Sequence, residues 1–127
     1  MAYRNIIQAM ISNAIEYTPR EGKIIISLTP NEADKKFTFS VKDTGIGIPK
    51  SEQNDIFKKF IRASNAKLTK PDGTGLGMYI AWQAAKMLGG KIWFESEENK
   101  GTTFYAELPM ESKESKAPLM SEGKPMA

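Results

Sequence analysis

The apolar residues of this chain are spaced as a helix, a strand pair, a second helix and a second strand pair. That order constrains the fold more than any other feature. From Tyr3 to Tyr17, Ile6, Ile7, Met10, Ile11, Ala14 and Ile15 recur at intervals of three and four, the repeat of an amphipathic helix, and Pro19 and Gly22 stop it. Lys23–Thr29 (KIIISLT) and Lys36–Asp43 (KFTFSVKD) are rich in β-branched and aromatic residues, and the turn-forming PNEADK of Pro30–Lys35 joins them into a hairpin. Phe37, Phe39 and Val41 alternate with polar residues, which fits one buried sheet face. Met78–Leu88 is helical again and ends at Gly89 and Gly90; strand KIWFESE, a turn at Asn99–Gly101 and strand TTFYAELP follow. These elements predict a four-stranded, mostly antiparallel sheet with two main helices.

Pro49–Gly73 reads largely as a long loop with a short helical segment near Ser51–Phe60, and loops of that length are usually functional or mobile. Beyond Pro109 the sequence MESKESKAPLMSEGKPMA has few apolar residues and no period. A single domain over 1–110 with a disordered tail over 111–127 is therefore expected. No internal repeat is present.

Composition removes several kinds of chemistry. Without Cys there are no disulfides, thiolate metal sites or cysteine nucleophiles. Without His the chain lacks the commonest general base, imidazole metal ligands and any phosphohistidine of its own. The net charge of +3 permits an anionic ligand but is too mild to imply nucleic acid. The opening MAYRN lacks the apolar core of a signal peptide, and no apolar run approaches the roughly 20 residues that span a bilayer. A soluble domain without direct membrane contact is expected.

Two glycine clusters carry the candidate site. Asp43-Thr44-Gly45-Ile46-Gly47-Ile48-Pro49 follows directly on a strand. A carboxylate there can accept a hydrogen bond from a ligand's amino group, and Gly47 would let a flat ring lie against the backbone. Taken alone, the cluster reads more readily as a glycine-rich turn. In DGTGLG, Gly73, Gly75 and Gly77 precede a helix beginning around Leu76, where backbone N–H groups and the helix dipole suit phosphate; a flexible hinge is the competing reading. Between the clusters, residues 58–70 hold Lys58, Lys59, Arg62, Lys67 and Lys70 with no acidic residue, which would favour a triphosphate, though a solvated loop explains any one lysine. A P-loop is excluded because each Gly-Lys is followed by Ile or Pro. A dinucleotide fingerprint is excluded because Met78 occupies the position of its third glycine. On the first helix, Ala9, Asn13, Glu16 and Tyr17 share a face; Asn13 can offer its amide oxygen to Mg²⁺ and Tyr17 its ring to a base.

In order, ISNAIEYTP, DTGIGIP, IFKKFIRA and DGTGLGMYIA resemble the N, G1, F and G2 boxes of the GHKL ATPase superfamily. They are most similar to those of the catalytic and ATP-binding domain of bacterial sensor histidine kinases, and GGKIWFESEENKGTTFYAELP resembles its closing strands. The likeness runs from about Arg4 to Pro109. It implies an α+β fold, a two-layer sandwich of the Bergerat type in which a mixed, mostly antiparallel sheet packs on helices, with a mobile ATP lid between G1 and G2. By the same resemblance, Asp43 would bind the adenine amino group, and Gly45, Gly47 and Ile48 would line the base pocket. Tyr17 would cover the adenine, and Thr103 would help fix it. Asn13 would coordinate Mg²⁺. Gly73, Thr74, Gly75, Leu76 and Gly77 would wrap the phosphates, Lys59 or Arg62 would reach them, and Phe57 and Phe60 would anchor the lid.

The resemblance also implies partners: ATP with Mg²⁺, a His-bearing dimerisation domain of the parent kinase, and a response regulator downstream, in the cytoplasmic part of a parent that is itself membrane-anchored in some relatives. The family domain begins with further strands before the first helix, so this chain is expected to be an N-terminally incomplete fragment. Two positions depart from the family. Ala9 stands where hydrolytic relatives carry a water-activating Glu and histidine kinases usually an Asn, and Glu16 stands where histidine kinases often carry Lys. Hydrolysis through a base at position 9 is therefore not expected. The departures leave a catalytically degenerate nucleotide-binding module as the alternative, alongside a serine kinase of the anti-sigma type.

Overall fold

In the computed structural model, which describes residues 2–57 and 77–110, the first periodic stretch is helix α1, Ala2–Tyr17. Its stripe Ile6, Met10 and Ala14 is buried to 2% exposure or less. The helix closes where Thr18 Oγ1 donates to the Ala14 carbonyl at 2.6 Å, and Gly22 N–H donates to Pro19 O at 2.8 Å in the turn that follows.

Strands β1 (Ile24–Asn31) and β2 (Lys36–Asp43) form the expected hairpin, in register from Ile24 opposite Asp43 to Asn31 opposite Lys36. Strand β1 runs on through Pro30, which the sequence assigns to the turn. The reason lies in the ladder. Thr44 N–H donates to Lys23 O at 3.1 Å, so odd-numbered β1 residues direct their backbone groups at β2 and even-numbered ones direct theirs outward. Strand β1 is an edge, so the N–H that Pro30 lacks would have faced away from the sheet.

A 3₁₀ turn covers Lys50–Asp55, shorter than the helical segment expected near Ser51–Phe60, whose last residues lie outside the described ones. Helix α2 (Gly77–Met87) ends at Gly89, whose φ of +84° is the left-handed conformation that glycine adopts without strain. Strands β3 (Lys91–Glu97) and β4 (Gly101–Pro109) complete a sheet of order β1-β2-β4-β3, antiparallel throughout.

One sheet face meets the helices. Phe39 and Val41 from β2, Phe104, Ala106 and Leu108 from β4, and Ile92 from β3 pack with Ile6, Met10 and Ala14 of α1 and Met78, Ala81 and Ala85 of α2. The Tyr3 hydroxyl donates to the Pro109 carbonyl and pins the start of α1 to the end of β4. The helices leave β1 uncovered: Ile26 and Leu28, paired with Val41 and Phe39 on the inner face, remain 50% and 64% exposed. Among the described residues no helix is long and apolar enough to cross a membrane. The tail over 111–127 lies outside the described residues.

Burial ranks the core positions. Leu108, at 0% exposure, should lose about 2–5 kcal/mol of stability on Leu108→Ala, whereas Leu28→Ala should change it by less than about 1 kcal/mol; urea denaturation of both variants checks the contrast.

Candidate functional site

Alternation on β2 carries Asp43 inward. Phe39, Val41 and Asp43 share the core face, so the strand ends with a carboxylate at 6% exposure. Gly45 N–H donates to Asp43 Oδ1 at 2.9 Å and Thr102 N–H donates to the same oxygen at 3.1 Å. Among the described residues Oδ2 has no protein partner. Burial pushes the Asp43 carboxyl above its ordinary pKa, and the two backbone N–H groups pull the other way without cancelling it.

The loop after Asp43 has no regular structure, and its backbone groups find partners on five separate elements. Gly45 N–H goes to Asp43 itself. Ile46 N–H donates to Tyr17 O at the end of α1 (3.2 Å), and Ile46 O accepts Asn99 N–H from the β3–β4 turn (2.7 Å). Ile48 N–H donates to Ser96 Oγ on β3 (2.9 Å), and Ile48 O accepts Gln53 Nε2 from the 3₁₀ turn (3.0 Å). Both glycines are needed for this path. A Cβ on Gly45 would lie 2.3 Å from Tyr17 O; one on Gly47, at φ +69°, would lie 2.1 Å from Glu97 O. The close approach that excludes a side chain at position 47 is thus made by the chain's own β3–β4 turn, where the sequence reading expects a ligand ring.

Across the sheet, Ser96 Oγ lies 2.8 Å from Thr102 Oγ1 and donates to Gly101 O at 3.0 Å. Beyond the loop, Phe57 stacks on Trp82 of α2 (centroids 6.1 Å apart, planes at 10°) and meets Phe94 and Phe104 edge-on at 5.7 and 6.3 Å. Asn13 lies partly buried on α1, one turn before the Tyr17 carbonyl that holds the loop, and its side chain has no hydrogen-bond partner among the described residues.

Residues 1–112 match the family described as histidine kinase-, DNA gyrase B- and HSP90-like ATPases. The chain belongs to this family. It is 42% identical over 104 residues to the sensor histidine kinase WalK of Bacillus subtilis, covering 82% of this chain and 17% of WalK. The catalytic domain of histidine kinase ThkA, solved in a nucleotide-free form, superposes with a TM-score of 0.69 at 34% identity, covering 86% of this chain and 66% of that one. Full-length ShkA, solved in complex with AMPPNP, gives a TM-score of 0.71 at 27% identity, over 85% of this chain and 21% of ShkA. The chain thus spans about a sixth of the length of WalK.

Of the residues singled out from the sequence, the family fold brings Asp43, Gly45, Gly47 and Ile48 into one loop held by Tyr17, and it leaves Asn13 on the adjoining turn of α1. Gly77 is the first residue of α2, and a Cβ there would meet nothing within 4 Å. Lys59, Phe60, Arg62, Gly73, Thr74, Gly75 and Leu76 lie outside the described residues. Thr103 and Thr102 are placed differently on β4. Thr103 pairs with Lys42 and Glu95 on the face turned away from the helices, whereas Thr102 is 7% exposed and is the residue that pairs with Asp43. Strand alternation gives the physical reason: Phe104, Ala106 and Leu108 are inward, so Thr102 is inward and Thr103 outward. Sequence reasoning also missed Ser96 and Gln53, whose roles arise only when the loop meets β3.

Two measurements follow from this geometry. Thr102→Val should cost about 1 kcal/mol and weaken ligand binding, and Thr103→Val should change stability by no more than about 0.5 kcal/mol, read by thermal denaturation and titration. For Asp43 the native carboxyl holds its proton more tightly than the unfolded chain does. Its contribution to stability is therefore present below the ordinary carboxylate range and is lost as pH rises through the raised native pKa. Asp43→Asn should remove that acid-side slope and leave the variant more stable than the wild type at pH 7, checked by denaturation midpoints across pH 3–8.

Proposed function

We propose that this chain is the ATP-binding catalytic domain of a sensor histidine kinase, presenting the γ-phosphoryl of ATP to a His on a separate helical dimerisation domain. The observation that carries the reading is the Asp43 carboxylate. One oxygen is fixed by two backbone N–H groups, and the other has no protein partner among the described residues, beside a loop shaped by Gly45 and Gly47. Such a group accepts a hydrogen bond from an exocyclic amine such as that of adenine, and it repels a carbonyl in the same place. The AMPPNP complex of ShkA and the names of WalK and ThkA support the same assignment.

In this reading Ile48 and Tyr17 border the base. Gly77, at the N-terminus of α2, turns backbone N–H groups toward the phosphates, together with Gly73, Thr74, Gly75 and Leu76, while Lys59 and Arg62 supply positive charge. The site suits Mg²⁺ in one respect: Asn13 offers an amide oxygen free of other described partners, and Mg²⁺ is commonly held by one or two protein oxygens plus phosphates and water. When bound, the ion would neutralise charge on the triphosphate. Among the described residues no cluster of three acidic, His or Cys side chains exists to hold a metal without nucleotide. The domain contributes positioning and electrostatic stabilisation, the main requirements of phosphoryl transfer. The parent kinase would work in the cytoplasm and pass the phosphoryl group on to a response regulator.

Calorimetric titration of Mg²⁺-ATP into the purified chain should show saturable binding that Asp43→Ala reduces at least about 100-fold. The bound chain should then phosphorylate a supplied His-bearing helical domain in trans. Binding without transfer would favour a nucleotide sensor, the reading that Ala9 and Glu16 support. Robust hydrolysis without an acceptor would reject the kinase assignment.

A further inference from the structure

The backbone of the base loop is held unevenly. Its near half is fixed by main-chain partners, since Ile46 bonds to Tyr17 O and Asn99 N–H. At Ile48 the support changes: both of its hydrogen bonds end on side chains, Ser96 Oγ and Gln53 Nε2. The Gln53 amide spans two elements, because Nε2 donates to Ile48 O at 3.0 Å and to Ser96 O at 3.1 Å. Ser96 in turn reaches Thr102 Oγ1 at 2.8 Å, and Thr102 N–H holds Asp43 Oδ1 at 3.1 Å. Three hydrogen bonds, joined through the residues Ser96 and Thr102, therefore link Gln53 to the carboxylate.

We propose that Gln53 is a positioning residue for base recognition. By clamping Ile48 O against Ser96 O it sets the distance between the far wall of the loop and Asp43, and so the discrimination between a 6-amino and a 6-oxo purine. The inference rests on the assignment of adenine to Asp43. A 6-amino purine gains from that carboxylate only if the ring is held within hydrogen-bond reach of Oδ2, a requirement of a few tenths of an ångström. Without Gln53, Ile48 is held to β3 by its N–H bond to Ser96 Oγ alone, its carbonyl is released, and the ring is no longer pressed toward Asp43. A 6-oxo purine presents Asp43 with a carbonyl that the carboxylate repels, so it loses nothing when the ring is held less closely, and its binding should not fall. A residue that merely stiffens the fold would weaken both nucleotides together.

The test titrates ATP and inosine triphosphate into the wild-type chain and into Gln53→Leu, which keeps the bulk of the side chain but donates nothing. The expected result is an ATP affinity lowered about tenfold with inosine triphosphate unchanged, so that the preference for ATP falls toward one. Ser96→Ala, which releases the other hydrogen bond of Ile48, should collapse the preference in the same way and serves if Gln53→Leu does not fold. Gln53→Lys, which restores a donor, should recover it. Equal weakening of both nucleotides, or an unchanged preference with a lowered melting temperature, would make Gln53 a structural staple and overturn the proposal. A wild-type chain that binds ATP no better than inosine triphosphate would overturn the assignment of adenine to Asp43 itself, and this inference with it.

Discussion

One oxygen atom organises the site. Asp43 Oδ1 receives N–H groups from Gly45, two residues on, and from Thr102, on the neighbouring strand. It therefore fixes the start of the loop and the register of β2 against β4 at their ligand end. The same arrangement explains why an ionised group is retained at 6% exposure. Burial disfavours the charge, two aimed dipoles oppose that effect, and the remainder is a standing cost. A carboxylate whose second oxygen has no described protein partner is poorly placed for stability and well placed for a ligand that brings its own donor. Stability alone does not account for this residue, because its burial costs more than its two backbone hydrogen bonds return.

The loop itself adds little regular structure, yet its path is fully determined. Its polar backbone groups find partners on α1, β2, β3, the β3–β4 turn and the 3₁₀ turn, so displacement of any one of these elements alters the wall of the pocket. Gly45 and Gly47 make this convergence possible, because Tyr17 O and Glu97 O occupy the space their side chains would need. Glycine-rich sequence here reflects close packing of the chain against itself as much as close approach of a ligand.

Much of this was legible in the sequence because it follows from local periodicity. Both hairpins, both helices and the inward aspect of Asp43 can be read from alternation and three-to-four spacing. The same alternation, applied to TTFYAELP, would have chosen Thr102: Phe104, Ala106 and Leu108 fix the inward parity and leave Thr103 with Tyr105 and Glu107. The resemblance points to Thr103, and the parity of the strand points to its neighbour. Pro30 was read as a turn because proline cannot donate to a ladder, but whether a strand is an edge is a property of the sheet and is invisible locally. Gln53 and Ser96 were missed for a related reason. Each is an ordinary polar residue whose meaning depends on which carbonyl it meets in the folded chain.

The packing of α2 links the two ends of the candidate site. Trp82, on the second turn of that helix, stacks on Phe57, the last described residue before position 58, while Gly77 at position one of the helix resumes the described chain. Phe57 and Gly77 are therefore both positioned by this one helix. Closing a loop costs entropy that grows only slowly with length, so the expense lies mainly in fixing its two ends. Here the ends are fixed by contacts that belong to the core: Phe57 against Trp82, Phe94 and Phe104, and Met78 and Ala81 beneath Gly77. The small side chains of Ala81 and Ala85 let α2 lie close against its neighbours in that core. The two described ends of the candidate site, Phe57 and Gly77, are thus set by the same core packing that orders α2 against the sheet.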